Sequence, residues 1–323
     1  MATDQKFLLW SAVCLCVCPL GFSVAQESKK AGTSRLNQDE VTAELNGLKL
    51  WYKVSGNGPV CLVPTPAWGP SSDLWFRTLK PLENTFTMVY LDSRGTGRSQ
   101  RANSTKEYTW DHLVADLDAL RSHLKQKKVW LMGHSEGGIQ ILHYACKHPE
   151  RVRGLLLLTT VATMDEQVQK EIMSRMQRRQ DQPWFPDAMK ALQTEFTSDE
   201  QLKTAFAKML PLYWSDPHKI ANHQEDFEAL SWSAEAWRGQ RESKRFPFDL
   251  SGQLKQVKAP TLIVAADDDI MPLDSAKRLH LCLPNSKLLL IENAGHFPWL
   301  EQPDAFFSDV PVFLRALNQD QKP

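Results

Sequence analysis

Apolar and polar positions begin to alternate near residue 41. VTAELN and LKLWYKV flank Asn46-Gly47, and two alternating runs joined by Asn-Gly predict a β-hairpin. VCLV (60–63) and FTMVYL (86–91) read as buried strands, with WFRTLKPL between them as a short helix. TWDHLVADLDALRSHL (109–124) sets Leu113, Leu117, Leu120 and Leu124 on one helical face. KVWLM (128–132) predicts a strand and IQILHYACKH (139–148) a helix. VRGLLLLT (152–159) is a strand so apolar that both of its faces must be covered.

The rhythm then stops. Residues 163–248 are helical in composition, with MDEQVQKEIMSRMQRR and DEQLKTAFAKML, and show no clear strand. It resumes with TLIVAA (261–266), SAKRLHLCL (275–283), KLLLIE (287–292) and DAFFSDVPVFLRAL (304–317). Alternating strands and helices predict an α/β fold, a mostly parallel sheet flanked by helices. The helical block enters as an inserted cap over the strand ends, where open α/β sheets bind ligands. The domain reading is therefore a core in two parts, 41–162 and 249–323, with the cap at 163–248.

The first forty residues differ in kind. FLLWSAVCLCVCPLGFSVA (7–25) is apolar and uncharged, follows Lys6, and ends in the small-x-small Ser23-Val24-Ala25. This predicts a signal peptide over 1–25, a polar flexible leader over 26–40, and a secreted or extracytoplasmic mature chain. Pro19 and Gly21 interrupt the apolar run and count against a membrane anchor, so no stable span is expected in the mature chain. Cys61, Cys146 and Cys282 then remain, an odd set that is no disulfide framework; Cys61 and Cys146 read as small core residues. Lys plus Arg equals Asp plus Glu, 38 against 38, with no basic stripe, so nucleic acid is not an expected partner. Asn103-Ser104-Thr105 is a glycosylation acceptor only in a eukaryotic source.

Three stretches carry chemistry. GHSEGG (133–138) joins a predicted strand to a predicted helix, and its G-x-S-x-G core, Gly133 to Gly137, is the pattern of a sharp strand-to-helix turn. Such a turn exposes Ser135 Oγ at a helix N-terminus, where the dipole favours a developing anion. A serine nucleophile needs a base. His296, in NAGHFPW (293–299), stands on a loop at the end of a predicted strand on the same sheet edge, whereas His134, His143 and His148 read as structural. The base needs an anion. AADDDIMP (265–272) supplies Asp267, Asp268 and Asp269 at the end of another strand, in the chain order Ser, Asp, His; Asp165 is a remote fourth choice.

The chain resembles the α/β-hydrolase superfamily over 41–317. Within it, YLDSRGTGRS (90–99) resembles the proline iminopeptidase branch, and AGHFPWLEQPDAF resembles the superfamily's histidine loop. In that pattern the acid stands three residues beyond a glycine whose place Ala266 takes, which implies Asp269; counting back from Pro272 gives Asp268 as the alternative. The resemblance implies an oxyanion hole from the N–H of Glu136 and a donor from the loop after the third strand. That loop reads VPTPAWGP (63–70) where relatives read HG-x or HGGPG. Pro66 falls at the donor position and has no N–H, which leaves Ala67 or Trp68 as donor. Arg94, Gly95 and Gly97 are expected to shape their loop and Asp92 to buttress it. The branch implies acidic side chains in the cap that bind a substrate amine, and Glu225, Asp226, Glu228 and Glu235 are the candidates. The cap tryptophans, Trp184, Trp214, Trp232 and Trp237, read first as packing, with the lining of an apolar substrate pocket as the alternative.

The expected function is a secreted serine hydrolase with a Ser135–His296–Asp269 triad, acting through an acyl-enzyme as a proline iminopeptidase-like aminopeptidase on a short peptide or small molecule. The alternatives are a small-ester carboxylesterase and a relative that binds ligand without turnover. No metal or organic cofactor is implied.

Overall fold

The computed structural model describes residues 36–319; the expected signal peptide and most of the leader lie outside the described residues. Asn46 and Gly47 both take positive φ, 50° and 78°, which is what a two-residue hairpin turn needs. They join β1 (Glu40–Leu45) to β2 (Leu48–Gly56) as an antiparallel pair. β3 (Val60–Pro64), α1 (Asp73–Thr78), β4 (Thr87–Leu91), α2 (Trp110–His123), β5 (Val129–His134), α3 (Glu136–Lys147) and β6 (Val152–Leu158) follow. The chain ends with β9 (Thr261–Ala266), α10 (Leu273–Cys282), β10 (Ser286–Ile291), α11 (Pro298–Glu301) and α12 (Pro303–Gln319). The sheet has eight strands in the order β1-β2-β4-β3-β5-β6-β9-β10, parallel from β4 to β10.

Strand alternation divides the core into two layers. Leu155 and Leu157 of β6, with Ile263 and Ala265 of β9, pack with Leu117, Leu120, Ile141 and Leu142 of α2 and α3. Leu156 and Leu158, with Leu262 and Val264, face the other way and pack with Phe306, Val310 and Leu314 of α12. Both faces of β6 are thus covered, as its unbroken apolar run requires. Cys61 is buried in this second layer and its thiol is pushed far up by burial, as a core residue's would be.

Between β6 and β9 runs the inserted segment. It holds β7 (Thr163–Met164), α4 (Glu166–Gln177), α5 (Phe185–Leu192), α6 (Asp199–Met209), α7 (Gln224–Glu228), α8 (Ala234–Glu242), β8 (Phe248–Asp249) and α9 (Ser251–Leu254). The expectation of no strand here is corrected at its two ends. β7 and β8 pair antiparallel, Thr163 with Asp249 and Met164 with Phe248, and close the neck of the insertion. Two residues a side are too few to show a period-two pattern.

The 92–99 loop is built on buried charge. Asp92 accepts hydrogen bonds from Ser72 N (2.7 Å), Arg98 N (2.8 Å) and Arg98 Nε (2.9 Å). The Arg98 guanidinium lies 3.6 Å over the Trp51 ring. Arg94 forks onto both oxygens of Asp116 at 2.7 Å, with both side chains 2% exposed. These residues buttress and shape the loop, as expected. Gly97 has φ 52°, and a Cβ there would stand 2.1 Å from Asp92 Oδ2. Gly97→Ala is therefore expected to cost more than about 1 kcal/mol, measured as a lowered urea midpoint; an unchanged midpoint would show that the loop is not held by Asp92.

Candidate active site

Ser135 is the hinge between β5 and α3, with φ 54° and ψ −124°. A non-glycine residue in that region is strained and persists only where its surroundings over-determine it. They do so here. A Cβ on Gly133 would sit 2.4 Å from Gly137 O, and one on Gly137 would sit 2.9 Å from Pro64 O, so both glycines are needed for the backbones to pass. Ser135 N donates to Leu158 O at 2.9 Å, and Thr160 Oγ1 donates to Ser135 O at 2.7 Å. The seryl side chain is left at the N-terminus of α3.

His296 follows β10 on the same edge. Its Nδ1 bonds Asp269 Oδ1 at 2.8 Å, and the two residues are 3% and 2% exposed. The loop is fixed through its main chain: His296 N donates to Tyr213 O at 2.6 Å, and His296 O accepts from His134 Nε2 at 2.8 Å and Thr159 Oγ1 at 3.1 Å. His134 is thus a strut. Burial, with the neighbouring His296 as a smaller cause, holds its pKa well below the ordinary range, so it stays neutral. Ser135 and His296 open onto one cavity. No hydrogen bond joins Ser135 Oγ to His296 Nε2 in this structure; contacts of this kind commonly tighten only when substrate is present.

The three aspartates divide the work. Asp269 meets His296. Asp268 Oδ2 accepts from Arg179 at 2.9 Å, and Asp267 Oδ1 accepts from Ala294 N at 3.2 Å. The same run of chain is held from α4 and the turn after it: Arg175 donates to the carbonyls of Asp267 (2.7 Å) and Asp269, and Arg179, just past the helix, to that of Asp268 (3.2 Å). Two arginines thus offset the crowded carboxylates. Asp165, the remote choice, caps α4 by accepting from Val168 N.

A family model described as the α/β hydrolase fold matches residues 59–303. The chain belongs to the α/β-hydrolase fold family. It is 30% identical over 281 residues to a proline iminopeptidase, PfmaB, of Pestalotiopsis fici, covering 84% of this chain and 98% of that protein. It is 25% identical over 280 residues to a putative carbamate hydrolase of Caulobacter segnis, covering 86% and 97%. Among solved structures, an α/β fold family hydrolase of Bacillus anthracis superposes with a TM-score of 0.71 at 20% identity, covering 85% of this chain and 98% of that one.

This α/β hydrolase departs from the expected pattern at the loop after β3. Pro66 lines the cavity beside Ser135. Ala67, expected as a donor, has its N–H committed: it bonds Glu136 Oε1 at 2.9 Å. Trp68 is the candidate that remains in the loop, beside the N–H of Glu136 at the start of α3. The Glu136 carboxylate is itself buried and held by Arg245 Nη1 at 2.8 Å and by Gln240 Nε2, while Arg245 Nη2 reaches Ala67 O at 3.4 Å. Both sides of the Ala67 residue are therefore gripped by one buried ion pair. Burial raises the Glu136 pKa, opposed by Arg245 and these hydrogen bonds. Neither Arg245 nor Gln240 was visible as a site residue in the sequence, because a single Arg or Gln at a helix end carries no spacing signal.

The four acidic candidates for amine binding are corrected. Asp226 pairs with Arg77 at 2.9 Å, Glu235 accepts from Tyr108 Oη at 2.9 Å, Glu228 accepts from Gln224 at 2.6 Å, and Glu225 is exposed. None lines the cavity that Ser135 and His296 share. Glu225 and Glu228 are exposed, the usual fate of a charge run, and Asp226 and Glu235 are half-buried on partners away from the cavity. The packing assigned to the tryptophans holds for Trp184 and Trp214, but Trp232 and Trp237 line the cavity. Its volume is 270 Å³, and Trp68, Trp75, Phe206, Met209, Tyr213, Leu230 and Phe297 are among its other lining residues. Among the described residues no cluster of His, Cys, Asp and Glu is arranged to hold a metal ion, and no helix is long and apolar enough to cross a membrane.

Arg245→Met leaves the Glu136 carboxylate buried without its cation, which is expected to cost about 3–5 kcal/mol of stability. Denaturant unfolding checks this, and a variant as stable as the parent would show that Glu136 is protonated and needs no partner.

Proposed function

We propose that this α/β hydrolase cleaves uncharged esters with an apolar acyl group, through an acyl-enzyme on Ser135. The observation that carries this is the wall of the shared cavity. It is aromatic and aliphatic, and its one carboxylate, Glu136, already faces Arg245. An acyl chain gains by leaving water for such a wall, whereas a free ammonium would lose its hydration without a partner.

In this reading Ser135 Oγ attacks the carbonyl carbon as His296 Nε2 takes its proton. Asp269 holds the imidazole through Nδ1 and stabilises its charge. The oxyanion is met by the N–H of Glu136, with Trp68 as the second donor. His296 returns the proton to the leaving alcohol, then draws a proton from water to release the acid. A hole without a donor at position 66 suits an ester, whose leaving group departs more readily than an amine. The N-terminal 25 residues are proposed to direct secretion.

The printed names of the relatives differ in substrate, a proline iminopeptidase and a putative carbamate hydrolase. The first, at 30% identity, favours a second reading, cleavage of an N-terminal proline. The two separate by kcat/KM for an aryl hexanoate and for a prolyl arylamide, with Ser135→Ala as control. Ester turnover that the control abolishes is expected, with prolyl amide turnover at background; a preference for the prolyl amide would overturn the ester reading. Covalent labelling by a fluorophosphonate tests the third alternative, a binder without turnover, and well-folded chain that fails to label would decide for it. Asp269→Asn, which presents an N–H or a weaker acceptor to Nδ1, is expected to lower kcat about 10⁴-fold; Asp268→Asn is expected to leave kcat largely intact, and the reverse order would reassign the acid.

A further inference from the structure

Glu301 is a buried carboxylate that this mechanism leaves without a task. It ends α11, five residues after His296. Its Oε1 accepts from Gly295 N and its Oε2 from Ser215 N, both at 2.8 Å. These two N–H groups belong to different chain segments. Gly295 precedes His296, and Ser215 lies two residues beyond Tyr213, whose carbonyl takes the His296 N–H at 2.6 Å. The segments approach backbone to backbone here: a Cβ on Gly295 would stand 2.4 Å from Tyr213 O and 2.8 Å from Ser215 N. One carboxylate therefore clips the histidine loop to the inserted segment at the point where the imidazole's own main chain is anchored. An ionised carboxylate can accept on both oxygens, whereas a carboxylic acid or an amide turns a donor toward one of the two N–H groups.

We propose that Glu301 is a positioning residue for His296, and that its deprotonation completes the arrangement in which His296 acts as base. This rests on His296 being that base. Burial pushes the Glu301 carboxyl up from 4.5 to about 7, against the main-chain N–H groups of Ser215, Gly295, Asp216 and Phe297, which pull it down. The charged and titratable neighbours are Lys219 and His223 on the 217–223 turn, Asp226 on α7 and His296 itself; the first three share a surface groove with Glu301, and Lys219 Nζ bonds its main-chain O at 3.3 Å. The sign for stability follows from the raised value. The folded state keeps this proton longer than the unfolded chain, so Glu301's contribution to stability is present below the unfolded pKa and is lost as pH rises through about 7. The active arrangement forms over that same interval, so activity and stability run in opposite directions with pH.

The test is the rate of fluorophosphonate labelling of the full chain between pH 5 and 9, for the parent, Ser135→Ala, Glu301→Gln and Glu301→Asp. The parent's rate is expected to fall with two protons on the acid side, one of them on Glu301. Glu301→Gln is expected to show a one-proton fall and a plateau lower by about 10- to 100-fold, since small misplacements of a reacting group cost that much. Glu301→Asp keeps a carboxylate and is expected to regain the second proton. Ser135-dependent labelling in which Glu301→Gln keeps the parent's acid limb overturns the role of Glu301 alone. Labelling that survives Ser135→Ala overturns the nucleophile, and this proposal with it. If Glu301→Gln does not fold, the parent decides: a one-proton acid limb overturns the proposal.

Discussion

The left-handed backbone at Ser135 is the constraint around which the rest of the molecule is arranged. It places a side chain at the tip of β5 pointing away from the sheet, and it holds only because Gly133 and Gly137 let backbone pass backbone and because β6 takes the Ser135 N–H. The sheet must then be parallel in this region, so that β5, β6, β9 and β10 all end on one edge. His296 and the Asp267–Asp269 run meet there for that reason. The apolar alternation of β6 and β9, which fills two core layers, is what fixes the edge itself.

Buried charge is the second theme. Arg94 with Asp116 and Arg245 with Glu136 are taken from water, Arg98 with Asp92 only on the carboxylate side, and each is forked or multiply bonded. Such pairs add little net stability over apolar residues of similar shape, but losing one partner is costly. What they provide here is placement. Each fixes a loop that no regular element controls: the 92–99 turn in two cases, and the proline-rich run after β3 in the third.

The sheet was legible because its signals are local. Asn46-Gly47 states its turn, TLIVAA matches β9 end to end, and the leucines of 113–120 announce the buried face of α2. Ser135, His296 and the aspartate run were legible because each stands where a strand stops. The rest depends on contacts far apart in sequence. The two-residue strands at 163–164 and 248–249 have no period to detect. That Ala67 spends its N–H on Glu136 depends on Arg245, 178 residues away along the chain from Ala67. That Glu225, Asp226, Glu228 and Glu235 all miss the cavity depends on how α7 and α8 are rotated, which composition does not encode.

The inserted segment supplies more than a roof. Arg175 of α4 and Arg179 just beyond it grip the carbonyls of the aspartate run, Tyr213 takes the N–H of His296, and Ser215 is joined to the histidine loop through Glu301. The backbone that supports both Asp269 and His296 is thus held by the block that also walls the cavity. Such a block is not an interchangeable module. Exchanging it for that of a relative, to import a new substrate preference, would remove the scaffold of Asp269 and His296 along with the old pocket, so the cavity of this chain has to be altered one wall residue at a time.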